Sequence, residues 1–229
     1  MNICPNCESD AEYERIAKHW SYSSSHRPAI SKKQHEIITG LVMGDACIDK
    51  PGENAYLLIS MINREYLEYL DSIFGVFSRG IKKEYTQEEA AKNSIVSNAD
   101  KNNYNDVYKL TTTTHPELNQ YRNWYGNNGK RWDVEKLTPY TLTHFYVCDG
   151  TLTGQNQIVI SMSSQIERRD YVNSLFTEAG LPSPSNWNIY DRKKYGGKHC
   201  QAQWTQQQTK ELFDYMNKPL PGFEYKWPK

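Results

Sequence analysis

Two aspartates carry the first sign of chemistry. Asp149 closes the stretch LTPYTLTHFYVCDGTL (137–152), and Asp45 closes GLVMGDACI (40–48). Each stands where an apolar, helix-like run gives out. In the later stretch Thr138 suits an N-cap and Pro139 the first helical position. Leu142, Phe145 and Tyr146 recur at i, i+3 and i+4, and Gly150 marks the stop. The helix dipole disfavours an anion at that end by about 0.3–1 kcal/mol, so a carboxylate held there is more comfortable with a cation beside it. Two such carboxylates brought together would leave one protonated unless divalent cations lay between them. Oxygen ligands without cysteine or histidine imply a hard cation, Mg²⁺ by default, with Mn²⁺ or Ca²⁺ able to substitute in binding. Such a metal can polarise a phosphoryl oxygen, generate hydroxide and stabilise the leaving oxygen, which is the chemistry of phosphodiester hydrolysis. Taken singly, either aspartate reads as an ordinary helix-end carboxylate.

The elements around them repeat. Ser31 and Gln34 form a capping-box pair ahead of Ile37, Ile38, Leu41 and Val42, and Gly40 and Gly44 lie four apart, which lets a second helix come close. A strand (ENAYLLISMI) and an amphipathic helix (NREYLEYLDSIFGVF) follow. Two strands then flank a polar insertion, QEEAAKNSIVSNADKNN, before a short helix opens at Pro116. After Asp149 the same order returns: NQIVISMSS as strand, QIERRDYVNSLFTEAG as helix, NWNIYDRKKYGGKHCQAQWT as hairpin and TQQQTKELFDYMNK as helix. Asp45 aligns with Asp149, Ile59-Ser60-Met61 with Ile160-Ser161-Met162, Glu117-Leu118 and Tyr121 with Glu211-Leu212 and Tyr215, and Arg131-Trp132 with Lys226-Trp227. Four matches in one order point to a duplication. The reading is an α+β protein of two αββαββα halves, residues 31–133 and 134–229, related by a pseudo-twofold axis that brings the two aspartate-bearing helices side by side.

GLVMGDACI and LTPYTLTHFYVCDGTL resemble the two signature helices of single-chain LAGLIDADG homing endonucleases. The likeness continues through NWYGNNGKRW before the second helix and EYKWP near the end. It implies two saddle-shaped antiparallel sheets in the DNA major groove and metal-dependent cleavage of both strands, with one essential acid per motif. Carried over, these are Asp45 and Asp149, with the backbone carbonyls of Ala46 and Gly150 beside the metals. A basic residue near each scissile phosphate would be Lys226 in the second half and Arg131, or its neighbour Lys130, in the first. Thr143, His144 and Cys148 depart from the usual signature, as do Met43 and Val147, without removing the carboxylates. The resemblance implies a monomer cutting a long asymmetric duplex site, with an intron among the host elements; no splicing motif supports an intein. A LAGLIDADG-type RNA maturase or a non-cleaving DNA-binding protein is the alternative, and intact aspartates in both halves argue for cleavage.

DNA contacts can be assigned coarsely. Arg192, Lys193, Lys194 and Lys198 flank a hairpin tip carrying Tyr190 and Tyr195. A two-stranded ribbon fits the major groove, and such charges hold phosphates. Lys82, Lys83 and Lys109 are the first-half candidates. Alternation through NQIVISM sends Gln157, Val159 and Ser161 to the DNA face and Ile158, Ile160 and Met162 to the helices. For any one of these basic residues, a solvated charge is the competing reading.

Residues 1–30 stand apart. Cys4 and Cys7, followed by His19 and His26, offer two thiolates and two imidazoles to one tetrahedral Zn²⁺, and zinc could supply the folding energy of so short a segment. A tail with incidental Cys and His is the competing reading. Across the chain, Lys+Arg and Asp+Glu are both 27, so any basic surface must be local. Seventeen tyrosines and six tryptophans against six phenylalanines favour surfaces that are apolar yet able to hydrogen-bond. Five cysteines with one close pair do not read as a disulfide framework, and no run approaches a membrane span or a secretory h-region. The expectation is a soluble intracellular protein, in the cytoplasm or an organelle.

Overall fold

The computed structural model describes residues 2–3, 10–11, 20, 26–93, 101–126, 129–191, 198–216 and 218–228. They fall into two compact units, one of Met1–His35 with Cys47–Leu118, the other of Glu36–Ala46 with Asn119–Lys229. Helix α1 (Lys32–Met43) gives its first turn to the first unit and the remainder to the second. Its start is the expected capping box. Ser31 Oγ accepts the Gln34 N–H at 3.3 Å, and Gln34 Oε1 accepts the Ser31 N–H at 2.9 Å.

The first unit opens on a pair of two-residue strands, β1 (Asn2–Ile3) and β2 (Asp10–Ala11); residues 4–9 and 12–19, with Cys4, Cys7 and His19, lie outside the described residues. Its main sheet is antiparallel, in the order β3 (Cys47–Asp49), β4 (Tyr56–Met61), β6 (Val107–Thr112), β5 (Ser78–Tyr85). On β4, Leu57 and Ile59 are buried while Tyr56, Leu58 and Ser60 are not, the period of a strand with one covered face. Helix α2 (Arg64–Phe74) begins at Asn63, whose side chain accepts the Tyr66 N–H, and buries Tyr66, Leu67, Leu70 and Phe74. The polar stretch after Tyr85 reads in the sequence as an insertion between two strands. Part of it, Gln87–Lys92, is a helix (α3), set by a reciprocal Thr86–Glu89 capping box and the buried Ala91; residues 94–100 lie outside the described residues.

The second unit continues from a one-turn helix, α4 (Asn119–Arg122), through a small hairpin of β7 (Tyr125–Gly126) and β8 (Gly129–Lys130), to helix α5 (Pro139–Asp149). Thr138 caps α5 by accepting the Thr141 N–H, and Pro139 takes the first turn. The sheet has the order β9 (Gly150–Leu152), β10 (Ile158–Ser161), β12 (Lys198–Gln203), β11 (Asn186–Asp191), which repeats the strand order of the first unit's sheet. Between its strands run a 3-10 turn (Ser163–Arg168) and α6 (Arg169–Glu178); α7 (Gln206–Met216) and a 3-10 turn at Glu224–Lys226 complete the unit. Ile158, Ile160 and Met162 are buried and Gln157, Val159 and Ser161 are half-buried, as the alternation requires. Aromatic packing fixes α5 on neighbouring residues. Phe145 meets Trp132 edge-on at 5.0 Å, and Tyr146 meets Phe213 at 5.6 Å and Trp227 at 5.3 Å. Among the described residues no helix is long and apolar enough to cross a membrane.

Within this unit α1 and α5 meet at glycines. A Cβ on Gly40 would lie 2.3 Å from the Thr141 carbonyl oxygen and 2.9 Å from His144 Cβ, and one on Gly44 would lie 2.4 Å from Cys148 Cβ. Thr141 Oγ1 also donates to the Glu36 carbonyl at 3.1 Å. No side chain fits between these backbones, so Gly40→Ala is expected to lower stability by about 1–3 kcal/mol, read as a shift in the denaturation midpoint. An unchanged midpoint would mean that the helices can separate freely.

The first unit carries a pH dependence of its own. His115 is buried beside Phe77, with Nε2 3.0 Å from the Pro28 carbonyl and Nδ1 accepting the Glu117 N–H at 3.2 Å. Burial lowers its pKa, while the Pro28 carbonyl and the Glu117 charge raise it, and Arg27 and His35 lower it further. The neutral ring is therefore the folded form, and an unfolded histidine takes a proton near 6.5. That stability is present above about pH 6.5 and is lost as the pH falls through the folded value. Denaturation midpoints of the wild type and His115→Gln should converge from pH 8 to pH 5, and parallel curves would count against this role.

Candidate active site

The two signature aspartates stand just past or at the ends of α1 and α5. Asp45 follows the last turn of α1 by two residues, and Asp149 is the last residue of α5. The glycine contact makes them neighbours, since a Cβ on Gly44 would lie 3.4 Å from Asp149 Oδ2. Burial pushes the Asp149 carboxyl up to about 7, the charge of Asp45 adds to the rise, and Lys130 and Lys226 oppose it. Asp45 is exposed as a whole residue, yet enough protein surrounds its carboxyl for burial to raise its pKa against the same two lysines.

Each aspartate has a lysine close by, and each lysine is fastened to a helix end. Lys130, on β8, donates to the carbonyls of Gly44 at 2.7 Å and Ala46 at 3.1 Å. Lys226 donates to the carbonyls of Val147 at 2.8 Å and Gly150 at 2.7 Å. The last carbonyls of a helix have no partner within it, and an ammonium there also answers the negative end of the dipole. Aromatic rings back both ammoniums: Tyr125 lies 5.6 Å from Lys130 Nζ, and Phe223 lies 5.2 Å from Lys226 Nζ. Tyr125 also points its hydroxyl at the Ala46 carbonyl, 3.4 Å away. Burial lowers the Lys226 pKa, and Cys148, Asp45 and Asp149 hold it up.

Of the pair Arg131 and Lys130, the structure brings Lys130 to Asp45; Arg131 is exposed. The carbonyls of Ala46 and Gly150, expected beside a metal, here accept the two ammoniums. Cys148, which the sequence marked as a departure from the signature, lies at the centre. Burial, with the charges of Asp45 and Asp149, pushes the pKa of its thiol far up, so it is a neutral filler. Tyr125 carried no signal in the sequence beyond its closeness to Lys130.

The donor set suits a hard divalent cation. It consists of two carboxyl groups near one another, one of them raised to about 7 by burial and its partner's charge, with carbonyl oxygens adjacent. A cation between them would favour the doubly ionised form. Among the described residues there is no group of three or more His, Cys, Asp or Glu side chains placed to hold a metal. His26 is half-buried, and the other three residues of the zinc reading lie outside the described residues.

The DNA-face candidates divide. Lys109 is paired with Glu84 at 2.8 Å and Lys83 with Asp106, while Lys82 is exposed. Gln157 accepts the Gln203 side-chain N–H at 2.8 Å, Ser161 is half-buried and Lys198 is exposed. Arg192, Lys193 and Lys194 lie outside the described residues.

Residues 35–181 match the LAGLIDADG DNA endonuclease family, and the chain belongs to that family. The fold is similar to that of the homing endonuclease I-WcaI bound to its DNA recognition sequence, with a TM-score of 0.67 at 16% identity over 90% of both chains. I-DmoI in complex with DNA and Mn matches with a TM-score of 0.43 at 14% identity, over 81% of this chain and 97% of that one. Among curated proteins, the uncharacterized protein MJ1098 of Methanocaldococcus jannaschii is 29% identical over 129 residues, 55% of this chain. The match spans a little under half, 46%, of that protein.

The raised Asp149 carboxyl sets the expected pH response. Between about 4, where an unfolded aspartate titrates, and about 7, the folded protein holds a proton that the unfolded chain has released. Without metal, this contribution to stability is full below pH 4 and lost as the pH rises to 7. Mg²⁺ should therefore raise the melting temperature more at pH 8 than at pH 5, and Asp149→Asn should remove the difference. Equal responses at both pH values would count against metal binding by this pair.

Proposed function

We propose that this protein is a sequence-specific endonuclease of duplex DNA, hydrolysing both strands of a long asymmetric site as a monomer with Mg²⁺. The observation that carries the reading is the pair of carboxyl groups at adjoining helix ends, each with a lysine fixed to the carbonyls around it. Asp45 and Asp149 would hold the metal, which when bound activates water and stabilises the departing oxygen. The lysines supply the other half of the electrostatics. Two of the three Lys226 N–H donors are committed to the Val147 and Gly150 carbonyls, and the third is left for a phosphate oxygen. Family membership and the fold shared with a DNA-bound homing endonuclease support the assignment. The repeated strand order supports a duplicated chain whose diverged sheets read unlike half-sites.

An RNA maturase or a non-cleaving DNA-binding protein would use the same scaffold, but neither needs both carboxylates and both lysines. The test is cleavage of a randomised duplex library with Mg²⁺. Selected sites should be cut on both strands by the wild type, while Asp45→Asn and Asp149→Asn abolish cutting and leave duplex binding intact. Lys226→Met should slow cutting by about 100-fold, the scale of a lost transition-state donor. Cleavage surviving in both aspartate variants would refute the assignment.

We also propose zinc in residues 1–30 through Cys4, Cys7, His19 and His26, which rests on their types and spacing. Metal analysis of the purified protein should return about one equivalent of zinc, lost in Cys4→Ser/Cys7→Ser. A zinc-free protein would end that proposal.

A further inference from the structure

The face of the second unit's sheet away from its buried residues carries neutral amides joined in a line. The strand pairings place Asn186 opposite Gln203, and Asn188 opposite Gln201. They also put Val159 opposite Gln203 and Ser161 opposite Gln201, so these side chains share the face away from buried Ile158, Ile160 and Ala202. Asn186 Nδ2 donates to Asn188 Oδ1 at 2.8 Å, Asn188 Nδ2 to Gln203 Oε1 at 3.0 Å, and Gln203 Nε2 to Gln157 Oε1 at 2.8 Å. The line crosses from β11 over β12 to the start of β10. The corresponding face of the first unit is different in kind, with Lys109 bonded to Glu84, exposed Lys82 and exposed Asp49.

A side-chain amide has two N–H donors and an oxygen with two lone pairs. In Asn188 and Gln203 the line engages one donor and one lone pair of each. What remains on each is one donor and one acceptor, and the same remainder results whichever way the line runs. The major-groove edge of adenine offers the complement, N7 as acceptor and N6–H₂ as donor. Guanine offers two acceptors there and suits a lysine or arginine. An amide already held by its neighbours also has less rotamer freedom to lose on binding.

We propose that Asn188 and Gln203 are specificity-determining residues that read adenines, so that the half of the target lying against this sheet is A·T-rich at the positions they reach. The inference rests on the reading of the protein as a duplex-DNA endonuclease and adds the base class that one sheet selects. The first unit's sheet, with its lysines and carboxylates, carries no such preference for adenine.

The experiment is a binding selection from a randomised duplex library with the full chain carrying Asp45→Asn and Asp149→Asn, the form expected to bind without cutting. Enriched sites should show adenine at two or more positions in one half. In the same background, Asn188→Ala/Gln203→Ala should weaken the preference for adenine over guanine at those positions by about 5–150-fold, the factor equivalent to 1–3 kcal/mol per bidentate contact, with the other half unchanged. Gln203→Lys should move one position from adenine towards guanine, a gain that loss of folding cannot imitate. Enriched sites with no adenine bias, or a bias that survives the double alanine variant, would overturn the inference while leaving the endonuclease reading in place. Failure to enrich any duplex, or enrichment of structured RNA in a parallel pool, would overturn the endonuclease reading itself.

Discussion

The close approach of α1 and α5 is the constraint on which the site depends. Gly40 and Gly44 remove the side chains that would keep the backbones apart, and the gap left by each is smaller than a methyl group requires. With the axes that near, the two helix ends and the residues just beyond them share one small volume. Two carboxyl groups, the carbonyl oxygens of Gly44, Ala46, Val147 and Gly150 and the thiol of Cys148 then crowd together. All of these are negative or acceptor in character, and the arrangement calls for cations. The two lysines meet part of that demand, and the raised Asp149 carboxyl is the part still unmet.

The lysines serve two purposes at once. Their ammoniums satisfy carbonyls at the helix ends, which is a structural task, and the same fixation gives them definite positions beside the aspartates. Aromatic backing by Tyr125 and Phe223 restricts them further, since a cation over a ring face is attracted to it. A long flexible side chain is thereby given the precision of a short one, and its ordering is paid for by folding rather than by substrate binding.

Much of this was legible in the chain. Thr138 and Pro139 announced the start of α5, Ser31 and Gln34 that of α1, and Gly40 and Gly44 the close packing, because each of these signals is local. The choice between Lys130 and Arg131 was not. It is decided by the hairpin of β7 and β8, where Lys130 pairs with Tyr125, and alternation over two residues leaves no pattern to read. The helix at Gln87–Lys92 was hidden for another reason: it is polar almost throughout, so its capping box had no apolar period to accompany it. The amide line could not be seen at all, since its members are distant in sequence and meet only through strand register.

The division of α1 between the two units has a consequence for how the chain must fold. Following the sequence, residues 1–35 belong to one unit, 36–46 to the other, 47–118 to the first again and 119–229 to the second. Neither unit is a continuous piece of chain. The second cannot complete its helix pair until residues 36–46 and α5, nearly a hundred positions apart, have come together. If 47–118 condenses first, a long flexible loop becomes a compact body and the closure that remains loses less entropy. A cut at any linker would leave one unit without a segment it needs, so the chain is a single folding problem even though it forms two bodies.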